Sequence, residues 1–291
     1  MSKTRTVEKP AELLSYLFDA WPEVKKKQVR TWLKFQAIVV NGRPVTQFNH
    51  PLEPGDVVEV RSEQFAAARG GLGLGIKVHF EDSAIIVIDK PENLLSVATE
   101  AEQEKTVFFQ LTEYVQRGRV DGKQRVWSVH RLDRDTSGLM VFAKTTEAAT
   151  ILQSAWDQAE KQYEAVVEGC MRDNAGVFES YLNESQPFRV FSAPPGELTR
   201  HALTRYTVLG RARTRTLVEL TLETGRRNQI RVHLADAGYP VIGDKKYGAK
   251  TDPAKRLALH ACRLRFPHPT TGVMLAYESP FPKELARLVH A

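Results

Sequence analysis

The residues of this chain best suited to chemistry stand together in one stretch, His130-Arg131-Leu132-Asp133-Arg134-Asp135-Thr136-Ser137-Gly138. A carboxylate in such a loop can act as a nucleophile or as a base. Asp133 with His130 would be the start of a hydrolytic pair, but that chemistry also wants a metal cluster or a second acid–base group, and neither is evident. A turn in which Asp133 or Asp135 satisfies backbone amides accounts for the same residues without any chemistry. A protein-kinase catalytic loop is excluded: that motif runs His-Arg-Asp-Leu, whereas here Leu132 precedes Asp133 and no Asp-Phe-Gly follows. His260, Cys262 and His268 match no zinc-ligand spacing, and Cys170 and Cys262 form no Cys-x-x-Cys pair. No metal site or disulfide is expected.

The polar loop lies between two apolar runs, Val126 to Val129 and Leu139 to Ala143, which read as strands holding it rigid. Ala84 to Ile88 is a further buried-strand run, ending at Lys90-Pro91. Tyr163 to Val167, Ala202 to Leu209 and Leu217 to Leu222 complete a strand-rich middle. Helices are predicted over Val107 to Arg117, around Ile151 to Ala159 with Thr145 or Thr146 as cap, and over Arg227 to Ala237, where Gly238 and Pro240 end it. With no parallel β-α-β rhythm, an α+β fold on a mixed, mainly antiparallel sheet is expected for residues 76–291.

The first fifth of the chain reads as a separate unit, Ala11 to Arg61, behind a polar tail of residues 1–10 without the apolar core of a signal peptide. Leu13, Leu14, Leu17 and Phe18 recur at helical spacing. In a second helix Val29, Trp32 and Leu33 form an apolar stripe, while Lys26, Arg30 and Lys34 recur on another face. Asn41-Gly42-Arg43 then signals a hairpin between Ile38–Val40 and Pro44–Val45, because Asn and Gly tolerate positive φ. Residues 1–61 hold 10 Lys+Arg against 7 Asp+Glu, half of the net +6 of the 291-residue chain. A basic helix face is often only solvated; here it also suits a polyanion. Residues 62–75 read as a flexible linker, since their glycines fit neither phosphate-binding loop pattern. With 42% hydrophobic and 26% charged residues, and no apolar run long enough to cross a bilayer, a cytoplasmic, monomeric globular protein is expected.

Two resemblances sharpen this reading. Helix, basic helix and Asn-Gly hairpin resemble the S-four-type (alpha-L) RNA-binding domain, which implies that Lys26, Arg30, Lys34 and Arg43 face RNA. His130 to Lys144 resembles the signature of RluA-type pseudouridine synthases, and four further segments do so in family order: Phe80-Glu81-Asp82 with Asp89-Lys90-Pro91; Lys161 to Ala165; Gly225 to Leu234 with Gly243-Asp244 and Tyr247-Gly248; and Leu259-His260-Ala261 with Phe266 to Pro269. Coverage runs from about Ile76 to Pro282. Asn228 stands where members commonly carry histidine, Asn93 where they carry glycine, and residues 170–200 match poorly.

The resemblance implies isomerisation of uridine in RNA to pseudouridine. The bond from C1′ to the base nitrogen breaks, the uracil turns, and it rejoins through carbon. No redox change or energy input is involved, so the resemblance implies no cofactor. Asp133 would be the catalytic carboxylate, by adduct formation or proton abstraction. Arg231 would pair with it, and Tyr163 would stack on the uracil and take a proton. Arg131 would fill the space of the extruded base, and Lys90, Lys144 and His130 would line the site. Ribosomal RNA is favoured over transfer RNA; the rival reading is a non-catalytic RNA-binding assembly factor.

Overall fold

The structure, a computed structural model, describes residues 3–34, 38–45, 47–60, 72–116 and 124–290. It divides into two compact units, residues 1–73 with 108–126 and residues 74–107 with 127–291. Most of the glycine-rich stretch read as a linker, residues 61–71, lies outside the described residues, as do the side chains of Lys34 and Arg43.

In the first unit, helices Leu13–Ala20 and Lys26–Lys34 pack on a small sheet. Trp21, Trp32, Leu13, Leu17, Val29 and Ile38 form its core. The hairpin forms as its turn chemistry requires: Asn41 and Gly42 take φ of 50° and 80°, and Val39 and Val40 pair with Pro44 and Arg43. The N-terminal residues are not all a tail, because Lys3–Thr6 pairs antiparallel with Val57–Val60 along its whole length.

The second unit is built on one sheet of eleven strands. In chain order they are β1 (Lys77–Glu81), β2 (Ile85–Lys90), β3 (Trp127–Ser128), β4 (Ser137–Ala143), β5 (Glu160–Glu168), β6 (Ala175–Asn183), β7 (Phe191–Ala193), β8 (Thr199–Ala212), β9 (Arg215–Leu222), β10 (Leu259–Pro267) and β11 (Met274–Glu278). Their spatial order is β7-β6-β8-β9-β5-β10-β4-β2-β1, with β11 also on β10 and β3 also on β4. Every pair is antiparallel except β4 with β10. Every residue of β4 is buried, as the apolar run Leu139–Ala143 implies for a strand covered on both faces. The α+β expectation holds; the sequence reading assigns no strand to β6 and β7, in the segment of poor family match, or to β10 and β11 near the C-terminus.

Three helices complete this unit: α1 (Thr146–Ser154), α2 (Gln229–Asp236) and α3 (Lys283–His290). Thr145 caps α1, accepting from the Ala148 amide at 3.1 Å. That helix stops at Ser154, and a 3-10 turn over Trp156–Gln158 carries the apolar pattern onward. Helix α2 begins two residues later than predicted, because Asn228 turns left-handed at φ 54°. No helix among the described residues is long and apolar enough to cross a membrane.

Candidate active site

The loop that carries Asp133 enters the sheet where its one parallel pair begins, with Ser137 opposite His260 and Gly138 opposite Ala261. Glycine is required there. Gly138 has φ 117°, and a Cβ would collide with the Ala261 backbone. Upstream, the loop is pinned residue by residue. Ser96, buried, donates to the Leu132 carbonyl at 2.7 Å and accepts from its amide at 3.1 Å. Lys90 donates to the Arg134 carbonyl at 2.9 Å, and the Thr136 amide closes a turn on the Asp133 carbonyl at 3.2 Å. Asp133 thus sits on a braced loop, as a side chain that must be aimed requires.

The Asp133 carboxylate is held from the helix side. Arg231 of α2 donates to its Oδ2 at 3.0 Å, while two other nitrogens of the same guanidinium grip Asp244 at 2.6 and 2.7 Å. Arg231 is 7% exposed and Asp244 1%, but Asp133 is 26% exposed, so the buried pair presents a carboxylate that still has an open edge. Burial works against the Arg231 charge, but Asp244 and then Asp133 outweigh it and push its pKa up, leaving a permanent cation. The guanidinium also lies 5.0 Å from the centre of the Tyr247 ring.

Asn228 completes the grip. In the orientation that satisfies both ends of its amide, Nδ2 donates to Asp133 Oδ2 at 2.7 Å and Oδ1 at 3.0 Å, while its oxygen accepts from the Tyr247 hydroxyl at 2.9 Å and Lys246 Nζ at 3.1 Å. The left-handed backbone that asparagine tolerates turns this side chain away from capping α2 and toward Asp133. Gln229 takes over the helix entry, accepting from the Arg226 amide at 3.0 Å.

These groups open onto one pocket, lined also by Arg131, Thr136, Tyr163, Arg226 and the apolar side chains of Leu222, Ile230 and Leu259. Tyr163 reaches it through a β-bulge: the β5–β10 register shifts between Gln162 and Tyr163. Burial first, then the Asp133 charge, raises the pKa of its phenol, which stays neutral. Arg131 is exposed at the rim.

Three expected site-lining residues stand elsewhere. The His130 ring stacks on Trp156 with centroids 4.4 Å apart, and its Nε2 accepts from the Val141 amide at 3.2 Å. Burial pushes its pKa down to about 3, so it remains a neutral structural acceptor. Lys144 lies beyond the opposite end of β4, roughly 20 Å of strand away, bound to Glu81 at 2.6 Å and to the Asp82 carbonyl. Lys90 is fully buried behind the loop, donating to the carbonyls of Pro91, Leu94 and Arg134, and burial draws its pKa down to about 7. Its place is support for the loop, outside the pocket. His260 and His268 are separately engaged, His260 by Ser137 and Ser279, His268 by Asp82 at 2.8 Å. Asn93 takes φ 61°, which explains how it replaces a glycine.

Asp244 and Tyr247 had a place in the motif series but no role until the fold brought them to Arg231. Ser96 carried no signal at all, being one serine among many. A buried carboxylate close to a tight glycine turn, Gly243 at φ 83°, was the one local hint for Asp244.

Comparison with known proteins agrees with this geometry. The family model described as RNA pseudouridylate synthase matches residues 84–236. The chain is 31% identical to the ribosomal large subunit pseudouridine synthase D of Haemophilus ducreyi, over 99% of this chain and 94% of that one. It is likewise 31% identical to the synonymous Escherichia coli K12 protein, over 94% and 88%. A Bacillus subtilis RNA pseudouridine synthase, YlyB, is 32% identical over 97% and 94%. Among solved structures, human RNA pseudouridylate synthase domain containing 4 shares the fold, with TM-score 0.62 at 23% identity over 74% of this chain and 92% of that one. The chain therefore belongs to the RNA pseudouridine synthase family, RluA type, and is an isomerase of uridine in RNA.

Proposed function

We propose that Asp133 is the carboxylate on which the isomerisation turns, and that large-subunit ribosomal RNA is the substrate. The observation that carries the first assignment is the gripped, half-open carboxylate: Asp133 is held by Arg231 at 3.0 Å yet 26% exposed to a pocket it shares with Tyr163. The target uridine must leave its stack, at a cost of a few kcal/mol, and Arg131 at the rim is the side chain to occupy the vacated space. The uracil then lies against the Tyr163 ring. A phenol that stays protonated passes on a proton only by giving up its own as it receives another. The open edge of Asp133 serves either adduct formation at C1′ or proton abstraction from the sugar.

Asp133→Ala and Asp133→Asn should lower pseudouridine formation by about 10⁴-fold or more, with RNA affinity within a few-fold of the parent. Measurable turnover by either variant on RNA that the parent modifies would sink the assignment.

The relatives named for ribosomal large-subunit RNA support the choice of substrate. The order of elements in the first unit supports an S-four-type RNA-binding domain over residues 11–61, ahead of a catalytic domain over 76–291. Lys26 and Arg30 lie 5.5 and 5.7 Å from the centre of the Phe18 ring, which gathers two cations on one patch. Mapping pseudouridines in total RNA from cells with and without the protein tests the substrate. Changes confined to transfer RNA would overturn it.

A further inference from the structure

The hairpin between β6 and β7, together with its approach to β8, covers the part of the chain least like the family, and it is built to hold one aromatic side chain in solvent. The guanidinium of Arg227 donates to three carbonyls of this loop, those of Glu184 at 3.1, Gln186 at 2.6 and Pro187 at 2.9 Å. The Arg227 amide donates to the Glu184 carboxylate at 2.8 Å. The next residue, Phe188, is 87% exposed, the most exposed large hydrophobic side chain among the described residues. Isolated exposed hydrophobics are ordinary. One presented by a loop held by three hydrogen bonds to its carbonyls and a fourth to its Glu184 carboxylate is preorganised for a contact, because the ordering entropy of that loop is already spent.

The residue after Phe188, Arg189, lines a groove of about 360 Å³, the size of small-molecule sites at their lower end. Val190, Val232 and Tyr247, all buried, floor it, and the exposed side chains of Arg189, Lys245 and Lys246 rim it. Lys245 shares its charge with Asp252 at 3.4 Å. The one acid lining the groove, Asp236, accepts from Ser192 at 2.6 Å; set against Arg189, Lys245 and Lys246 it leaves the lining net positive. The groove is also wired to the catalytic carboxylate. The Val190 amide donates to the Tyr247 hydroxyl at 3.2 Å, that hydroxyl to Asn228 at 2.9 Å, and Asn228 to Asp133 at 2.7 Å.

We propose that this hairpin and groove form a second RNA subsite, where a nucleotide flanking the target uridine stacks on Phe188 and seats its phosphate against Arg189 and Lys246. An exposed ring beside a cationic groove is the arrangement that holds unpaired nucleotides, since every base has a face to stack and every phosphate a charge to meet. The flanking nucleotide must be unstacked when its neighbour is extruded, so a surface that restacks it offsets part of the cost of extrusion. The inference rests on RNA being the substrate of the Asp133 site.

The test uses the full chain, with fluorescein-labelled octauridylate for binding and total RNA lacking the modification for activity. Phe188→Ala should weaken octauridylate binding about tenfold, within the range for one stacked base. Arg189→Glu should also weaken it and lower the slope of log affinity against log salt by about 0.7, one phosphate contact to a single strand. Octauridylate carrying 5-iodouridine should photocrosslink to the peptide containing Phe188. Circular dichroism of both variants should match the parent, as neither side chain is part of the core. Binding within twofold of the parent in both variants, with no crosslink at Phe188, would overturn the subsite. So would a defect seen with assembled ribosomal particles but not with free RNA, which would make the surface a protein-docking site. Failure of the catalytic assignment reads differently: Asp133→Ala would keep its activity, whatever Phe188 does.

Discussion

Two arginines hold opposite ends of one five-residue segment, and only one of them lines the pocket. Arg231 grips Asp133, while Arg256 donates to the Ser137 hydroxyl at 2.5 Å and pairs with Glu92 and Glu284, each at 3.0 Å. From Ser137 a relay continues through His260 at 2.8 Å, Ser279 at 3.0 Å and Asp89 at 2.7 Å. By residue type that serine–histidine–aspartate chain looks more like a catalytic apparatus than a lone aspartate does. Yet Ser137, His260 and Ser279 are all buried, and none of the relay lines the pocket that holds Asp133, Ser279 alone bordering a separate one. Burial drives the His260 pKa down to about 4, so it is a neutral link that fastens β4 to β10. The lesson is that accessibility, more than residue type, separates a site from a brace.

The sharpest way to break this contrast is to strip Arg231 of its buried partner. Asp244→Ala leaves a buried guanidinium short of an anion, a change that costs about 3–5 kcal/mol. Calorimetry should show Tm lower by about 10 °C, with activity lost in parallel; a variant as stable as the parent would mean that Asp244 does not anchor the site. Asn228→Asp keeps a residue that tolerates the left-handed backbone but replaces the donor facing Asp133 by a second carboxylate. Single-turnover rates should fall about 100-fold, equivalent to about 3 kcal/mol, with Tm changed by only a few degrees. An unchanged rate would remove Asn228 from the grip.

The brace makes a pH prediction of its own. His260 titrates near 4 in the folded protein against an ordinary 6.5, so the unfolded chain takes up the proton first as pH falls. Its contribution is complete above about pH 6.5 and is lost between there and pH 4, with a slope approaching ~1.4 kcal/mol per pH unit for one such histidine. His233, also drawn down to about 4 by burial, adds in the same window. Denaturant titrations across that range should show the decline, and His260→Gln should flatten it; an identical slope in the variant would contradict a buried, neutral His260. The smallest effect belongs to the first unit. Lys26→Glu with Arg30→Glu should reduce the salt slope of RNA binding by up to about two units without changing the single-turnover rate. A salt slope equal to the parent's would remove the case for that face.

Much of this was legible in the sequence, for identifiable reasons. The Asn41-Gly42 hairpin forms because two residues that tolerate positive φ leave the strands one way to turn. The buried runs of β2 and β4 were visible as unbroken apolar stretches. The loop holding Asp133 stood out because charged residues do not otherwise interrupt such strands. The strands β6 and β7 escaped notice because their sides alternate only weakly between buried and exposed, a pattern that carries little apolar signal. His130 and Lys144 were misplaced for a different reason. Nearness to Asp133 along the chain says nothing about which way a side chain leaves a strand, or at which end of it a residue stands.

The sequence by itself determined the α+β class and the basic helix-and-hairpin unit, and it made Asp133 the carboxylate to propose, because these depend on local backbone preference and on an ordered series of motifs. What only the tertiary structure decided is which groups reach Asp133: Arg231 and Asn228 from ninety-odd residues away, Asp244 and Tyr247 behind them, and Tyr163 turned inward by a bulge. Such contacts depend on strand register and helix entry angle, which no local run of residues encodes, and it is those contacts that turn an aspartate suited to a turn into one held facing an open pocket.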